Sequence, residues 1–327
     1  MQKQAFRTYL NKIGLDNGKI DEQIAFLEGL ESHLHELAPD WSFEDLNAAS
    51  VQSVVDGMID RGENTLDNLR AMARYANVIE NQDMYFTIFR MLDGHEAMDE
   101  LYGRLGSFVG EDLRDVIFED LPLPPLGISQ RDKSRYAYRV MRSLEEIFEE
   151  RTCREVLQDS LRILPGAWYE DAKQDFYEKC DADMDRYLIL KGEKFVNRLK
   201  QCQENDELFF DQKINDAVIE FVVDNPEMGQ GVRKGNIIYE TKIPNNTIAY
   251  LEETDPVKKR YHYCHCPWAK ESLRPGSLKV SATFCQCSAG FHKKPYEVIY
   301  GQTLKADVLQ SVLDGDPICR FAIHLPE

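Results

Sequence analysis

The residues best equipped for chemistry sit in two short segments, YHYCHCPWAK (261–270) and TFCQCSAGFHKK (283–294). Each carries a Cys-x-Cys pair, and together they hold four of the chain's eight cysteines. Thiolate is a strong zinc ligand, and four thiolates complete a closed tetrahedral site. Two chelating pairs separated by a loop are a common way to build one, so Cys264, Cys266, Cys285 and Cys287 are candidate Zn2+ ligands. His262, His265 and His292 are alternates, each able to replace one sulfur. The same residues allow a second chemistry. Cys285 or Cys287 could attack a substrate if Lys293, Lys294 or a histidine lowered its pKa, with His292 as base. A third reading makes these thiols small, buried and inert, as free cysteines often are. The spacing leaves all three open.

Around the pairs stand residues that could hold a ligand. Trp268 and Phe291 could wall an apolar pocket, or serve as core. Lys293 and Lys294 could take an anionic group. Glu297 shares a helical spacing with Tyr296 and Tyr300, which makes it a candidate acid or partner of a metal-bound group. Asp314 and Asp316 flank Gly315, and a tight turn accounts for them without a cation. Cys319 alternates with Phe321 and Ile323 and reads as core. Cys153, Cys180 and Cys202 lie in helical patterns without partners and read the same way.

The elements that must position these groups differ between the two halves. In KIDEQIAFLEGLESHLHEL, Ile20, Ile24, Leu27, Leu30, Leu34 and Leu37 recur at three- and four-residue steps, one stripe of an amphipathic helix. ENTLDNLRAMARYANVIEN places Leu66, Leu69, Met72, Ala76 and Ile79 likewise, with Asn64 or Thr65 as N-cap. Gly14 and Gly94 suit turns between helices. LPLPPLGISQ (121–130) is a stiff, non-helical connector. Beyond it, DKSRYAYRVMRSLEEIFEE and DMDRYLILKGEKFVNRLKQC are helical, and strand signals follow in GNIIYETKIP and NTIAYLEE. ADVLQSVL and ICRFAIHL flank DGDP as a closing hairpin. The expectation is α+β overall: an all-α domain over 1–120, a linker over 121–130, and an α+β domain with an antiparallel sheet over 131–327.

Charge is unevenly spread. Residues 1–130 carry 10 Lys/Arg against 24 Asp/Glu, whereas 257–300 carry 8 against 2. The acidic half repels a phosphate backbone, which argues against nucleic acid as a partner. The basic island could offset thiolate charge or attract a small anionic molecule, or simply be a solvated face. No apolar run is long enough to span a membrane, and the N-terminus lacks the apolar core of a signal peptide. A cytoplasmic protein with reduced or metal-bound cysteines, monomeric or a homo-oligomer, is expected.

The terminal SVLDGDPICRFAIHLP resembles the closing hairpin of two related families, the L-2-amino-thiazoline-4-carboxylic acid hydrolases and the 4-vinyl reductase type domain. The order of CHCPWA, CQC and that hairpin is similar to the cysteine-bearing helices of the hydrolase family, over roughly residues 135–327. The resemblance implies that Cys266, Cys285 and Cys287 lie near a ligand pocket or metal site. The hydrolase pattern has an aspartate close after its second cysteine region, where this chain has Ser288, Ala289 and Gly290. A small-molecule-binding, sensor-like module with zinc is therefore expected ahead of a hydrolase of a cyclic amidine-type C–N bond. YLNKIGLDNGKIDEQIAFLEGL resembles the opening helices of the SAM-like core-binding domain of tyrosine recombinases. Without that domain's basic face, the resemblance implies helical architecture alone, and on charge a protein-interaction or dimerisation module is expected ahead of DNA binding.

Overall fold

A computed structural model describes residues 1–37, 41–160 and 164–326, with the side chains of Leu37 and Ser160 outside the description. The chain is α+β, and it divides into two compact units.

The first unit comprises Met1–His95 and Leu123–Lys133. Its helices are α1 (Lys3–Lys12), α2 (Asn17–Leu37), α3 (Ala48–Arg61), α4 (Leu66–Val78) and α5 (Gln82–Leu92). The stripe on α2 is buried at Ile20, Ile24, Leu27, Leu30 and Leu34, where it meets Leu69 and Met72 of α4. Thr65 caps α4 by accepting from Asn68 N, and the turns at Gly14 and Gly94 are left-handed. Tyr75 fills the centre, edge-on to Phe6 and Phe43, and its hydroxyl accepts from Gln2 N. Among the described residues, Lys133 is a charge buried here. Lys133 donates to the carbonyls of Arg90, Met91 and Asp93 at 3.2, 2.8 and 2.7 Å, satisfying acceptors that the end of α5 leaves open. The proline-rich connector packs back on this core. A Cβ at Gly127 would stand 2.6 Å from Val55 Cγ1, on a backbone at φ +98° that other residues rarely adopt.

The boundary therefore differs from a single cut at 121–130. Helices α6 (Ala97–Val109) and α7 (Glu111–Phe118) supply no described side chain to the first core and belong to the second unit, Glu96–Pro122 with Ser134–Glu327. The division falls inside α8 (Gln130–Ile147). The second unit continues with α9 (Glu150–Ser160), α10 (Glu170–Gln174), α11 (Met184–Glu204) and α12 (Asp216–Val223). Strands β1 (Val232–Lys234) and β2 (Ile237–Thr241) precede α13 (Thr247–Glu252) and α14 (Pro256–Tyr263). The unit closes with α15 (Gln286–Tyr300), β3 (Lys305–Gln310) and β4 (Arg320–His324). The sheet is antiparallel in the order β1-β2-β4-β3, with Ile238 opposite Ile323 and Glu240 opposite Phe321.

NTIAYLEE, expected as a strand, is the helix α13. Asn246 caps it by accepting from Ala249 N, and burial at Thr247 and Tyr250 follows a three-residue step instead of alternation. Helix α15 packs on β3 and β4 and, from its other side, on α9. There Gly290 is required, because a Cβ would lie 2.1 Å from Gln158 O. Among the described residues, no helix is long and apolar enough to cross a membrane.

Candidate functional site

Four chain segments converge at the first turn of α15. Asp255 caps α14 by accepting from Val257 N and Lys258 N, with Pro256 just inside the helix. The helix ends at Tyr263, so Cys264 leaves it in an extended conformation and carries Cys266 into the following turn. Cys285 stands immediately before α15 and Cys287 in its first turn. Lys242 directly follows β2, and Cys319 directly precedes β4. The Tyr263 hydroxyl donates to Lys242 O at 2.8 Å and lies 3.4 Å from Cys319 O, pinning both strand ends beside the Cys264 turn. Ser311 Oγ donates to Cys285 Sγ at 3.1 Å. Cys264, Cys266 and Cys319 pack in one cluster with Phe321 and Ile323.

Burial governs the thiols. It pushes Cys264, Cys266 and Cys285 upward, and Cys319 up to about 11. Neighbouring thiols add to the rise: Cys264 and Cys287 act on Cys266, and Cys319, Cys264 and Cys266 act on Cys285. Lys242 opposes it at Cys264, Cys266 and Cys319. Cys264, Cys266, Cys285 and Cys319 thus share one neighbourhood with their pKa values raised, the reverse of what an activated nucleophile needs. Among the described residues, no three His, Cys, Asp or Glu side chains converge closely enough to hold a metal ion as they stand.

Beside the thiols lies a buried carboxylate. Glu240 accepts from His292 Nδ1 at 2.6 Å and from the Tyr296 hydroxyl at 2.6 Å, and it is paired with Lys191 from α11. Burial alone would raise Glu240, but Lys191 and then His292 hold it at about 2. Burial lowers His292 against the pull of Glu240, which makes it a neutral imidazole donating from Nδ1. A carboxylate on Nδ1 fixes the tautomer and leaves Nε2 as the lone-pair nitrogen, the arrangement of many metal-binding histidines. The His292 ring stacks on Phe321, with centroids 4.3 Å apart. His265 is taken down to about 3 by burial and Lys242, and its Nε2 meets Ile243 O at 2.6 Å. His262 is lowered by burial and by Lys270, with Glu253 and Arg274 also near it.

The remaining candidates separate. Glu297 sits ten residues beyond Cys287, about 15 Å along the helix. It pairs with Lys293 at 3.2 Å and Lys294 at 3.7 Å and accepts from Leu304 N at 3.1 Å, so it holds the end of α15 and not the cysteines. Lys293 is buried, also bonded to Asp159 at 2.8 Å, and lines a cavity of about 770 Å³ in which Arg151, Arg154 and Lys305 are matched by Glu150, Glu155 and Asp307. Trp268 is buried beside Tyr136, whereas Phe291 is 45 % exposed; neither lines that cavity. Cys153 is buried, Cys202 is buried in a separate cluster, and Cys180 is buried in the large cluster that also holds Cys264 and Cys319.

Sequence reasoning missed Glu240 and Lys242. The signal was present in GNIIYETKIP, where Ile238, Glu240 and Lys242 alternate onto one face. A carboxylate and an amine at inward positions of a strand ask for partners. Residues 242–327 match a family of unknown function (DUF6144). The matched segment opens at Lys242 and contains all five clustered cysteines. No curated protein and no solved structure matches the chain.

Proposed function

We propose that the second unit is a small-molecule-binding, sensor-like module whose thiol cluster holds a zinc ion. The observation that carries the reading is the meeting of the Cys264–Cys266 turn, Cys285 and Cys287 at the start of α15, and Cys319 before β4, tied together by Tyr263 and Ser311. Clustered thiols, here two buried and three half-buried, lose protons readily to a soft divalent cation. His292, oriented through Nδ1 by Glu240, adds a nitrogen donor of the right form. Rotation of thiol side chains about χ1 is the movement that metal capture requires. The ligand is a small polar molecule, received in the cavity where Arg151, Arg154, Lys293 and Lys305 stand among Glu150, Glu155, Asp159 and Asp307. The similarity to the 4-vinyl reductase type domain points the same way.

A hydrolase would need a thiolate or a metal-bound water with an adjacent base. Burial raises the pKa of these thiols, and the buried Glu240 carboxylate is already bonded to three donors. The test is metal analysis of protein purified without added zinc, together with thiol titration. The expected result is about one zinc per chain and slow thiol reaction until a chelator is added. Metal-free protein with all clustered thiols reacting at once, and no uptake of added Zn2+, would reject the reading. Turnover of a thiazoline-type amidine that Cys285→Ser abolishes would favour the hydrolase instead.

A further inference from the structure

We propose that the cavity lined by α9, α15 and β3 receives a zwitterion bearing a carboxamide, an amino acid or dipeptide in size, and reads that amide through Gln158 and Gln286. This inference rests on the small-molecule-binding reading and names the class of the ligand.

The two glutamines meet where α9 crosses α15. The crossing is close because Gly290 has no side chain: a Cβ there would lie 2.1 Å from Gln158 O. Gln158 Nε2 carries two hydrogens, and both are engaged. It donates to Gln286 Oε1 at 2.7 Å and to Ala306 O at 3.0 Å. A backbone carbonyl can only accept, so Ala306 fixes which way the Gln158 amide points, and Gln158 in turn fixes Gln286. Two groups are left over. Among the described residues, Gln158 Oε1 and Gln286 Nε2 have no hydrogen-bond partner. Both residues line the cavity, and Gln286 is 4 % exposed. A buried amide with unused donors is costly, and a ligand that meets it recovers that cost.

The open pair is one acceptor and one donor. A primary carboxamide is its complement, donating from nitrogen to Gln158 Oε1 and accepting at oxygen from Gln286 Nε2. A carboxylate only accepts, so one of its oxygens would face Gln158 Oε1 without a proton between them. Charge defines the rest of the molecule. Four cations and four carboxylates line the cavity, which gives no net attraction to a phosphate or a polyamine. Both signs within one lining suit a ligand that carries an ammonium and a carboxylate of its own. Asp159 is the group available to the ammonium. It is 43 % exposed, Lys293 is bonded to its Oδ1 at 2.8 Å, and among the described residues its Oδ2 has no partner.

The experiment is calorimetric titration of the full chain with L-glutamine, L-asparagine and glycyl-L-glutamine, each against its carboxylate counterpart, and with uridine. At least one carboxamide is expected to bind about tenfold or more tightly than its counterpart. Gln286→Met removes the free donor and is expected to erase that preference. Should Gln286→Met not fold, Gln286→Glu decides, because it keeps the acceptor for Gln158 and turns the free donor into an acceptor. Equal affinity for carboxamide and carboxylate, or a preference that survives the substitution, overturns the inference while leaving a ligand-binding cavity. Tighter binding of uridine, whose imide offers a donor and an acceptor without charge, overturns the zwitterion and likewise leaves the cavity. Wild-type protein that binds none of the probes overturns this inference and the cavity's place in the reading beneath it, whereas the zinc content of the same protein is read separately.

Discussion

The two units bury charge for different purposes. In the first, Lys133 closes the carbonyl end of α5, and the interior around it is hydrocarbon from Phe6 to Met91. In the second, Glu240 gathers Lys191, His292 and Tyr296 beside a layer of thiols. A helix end must be satisfied wherever it is buried, so Lys133 reflects the cost of packing. Nothing about a four-stranded sheet requires a carboxylate opposite Phe321. A buried ion network adds little stability over an apolar core of the same shape, which makes Glu240 a pointer to function.

Substitutions can break this contrast, and the largest effect belongs to the second unit. Glu240→Ala leaves the buried Tyr296 hydroxyl and His292 Nδ1 without their acceptor and the partly exposed Lys191 without its partner, and should destabilise that unit by about 3–5 kcal/mol in urea denaturation. Its pH dependence carries a sign. The folded value of Glu240, about 2, lies below its ordinary 4.5. Its contribution is therefore complete above about pH 4.5 and is lost as pH falls toward 2. Glu240→Gln should flatten the stability profile across that window; a profile identical to wild type would remove Glu240 from the ionised network.

Lys133→Met comes next, at about 1–3 kcal/mol in the first unit, since it leaves carbonyls at the end of α5 unsatisfied. Its cost should not change between pH 2 and 4.5, because its acceptors at Arg90, Met91 and Asp93 are backbone carbonyls. The smallest effect is Thr65→Ala, which removes the cap of α4 and should lower stability by about 1 kcal/mol. Thermal melts of the three variants place them in that order if buried charge, and not capping, separates the units.

Particular residues show how far the amino-acid pattern reached. The stripe from Ile20 to Leu34, the Thr65 cap and the alternation of Phe321 with Ile323 were readable because each is a local periodicity. NTIAYLEE was misjudged for the same reason: six residues are too few to separate period two from period three, and Asn246 as a cap outweighed strand propensity. The cysteine pairs stood out by spacing, but spacing is silent about Cys319, which arrives from the far side of a hairpin.

The chain alone therefore settled its class, an α+β protein with an acidic helical beginning, and the types of group available for chemistry. Folding settled which of them meet. The β2–β4 register put Glu240 opposite Phe321, the α15 crossing brought Ser288 to Lys242, and Ser311 carried Cys285 to the Cys319 hairpin. Neighbours along a helix or strand follow from bond geometry, whereas neighbours across a sheet depend on register and helix crossing, which no single segment contains.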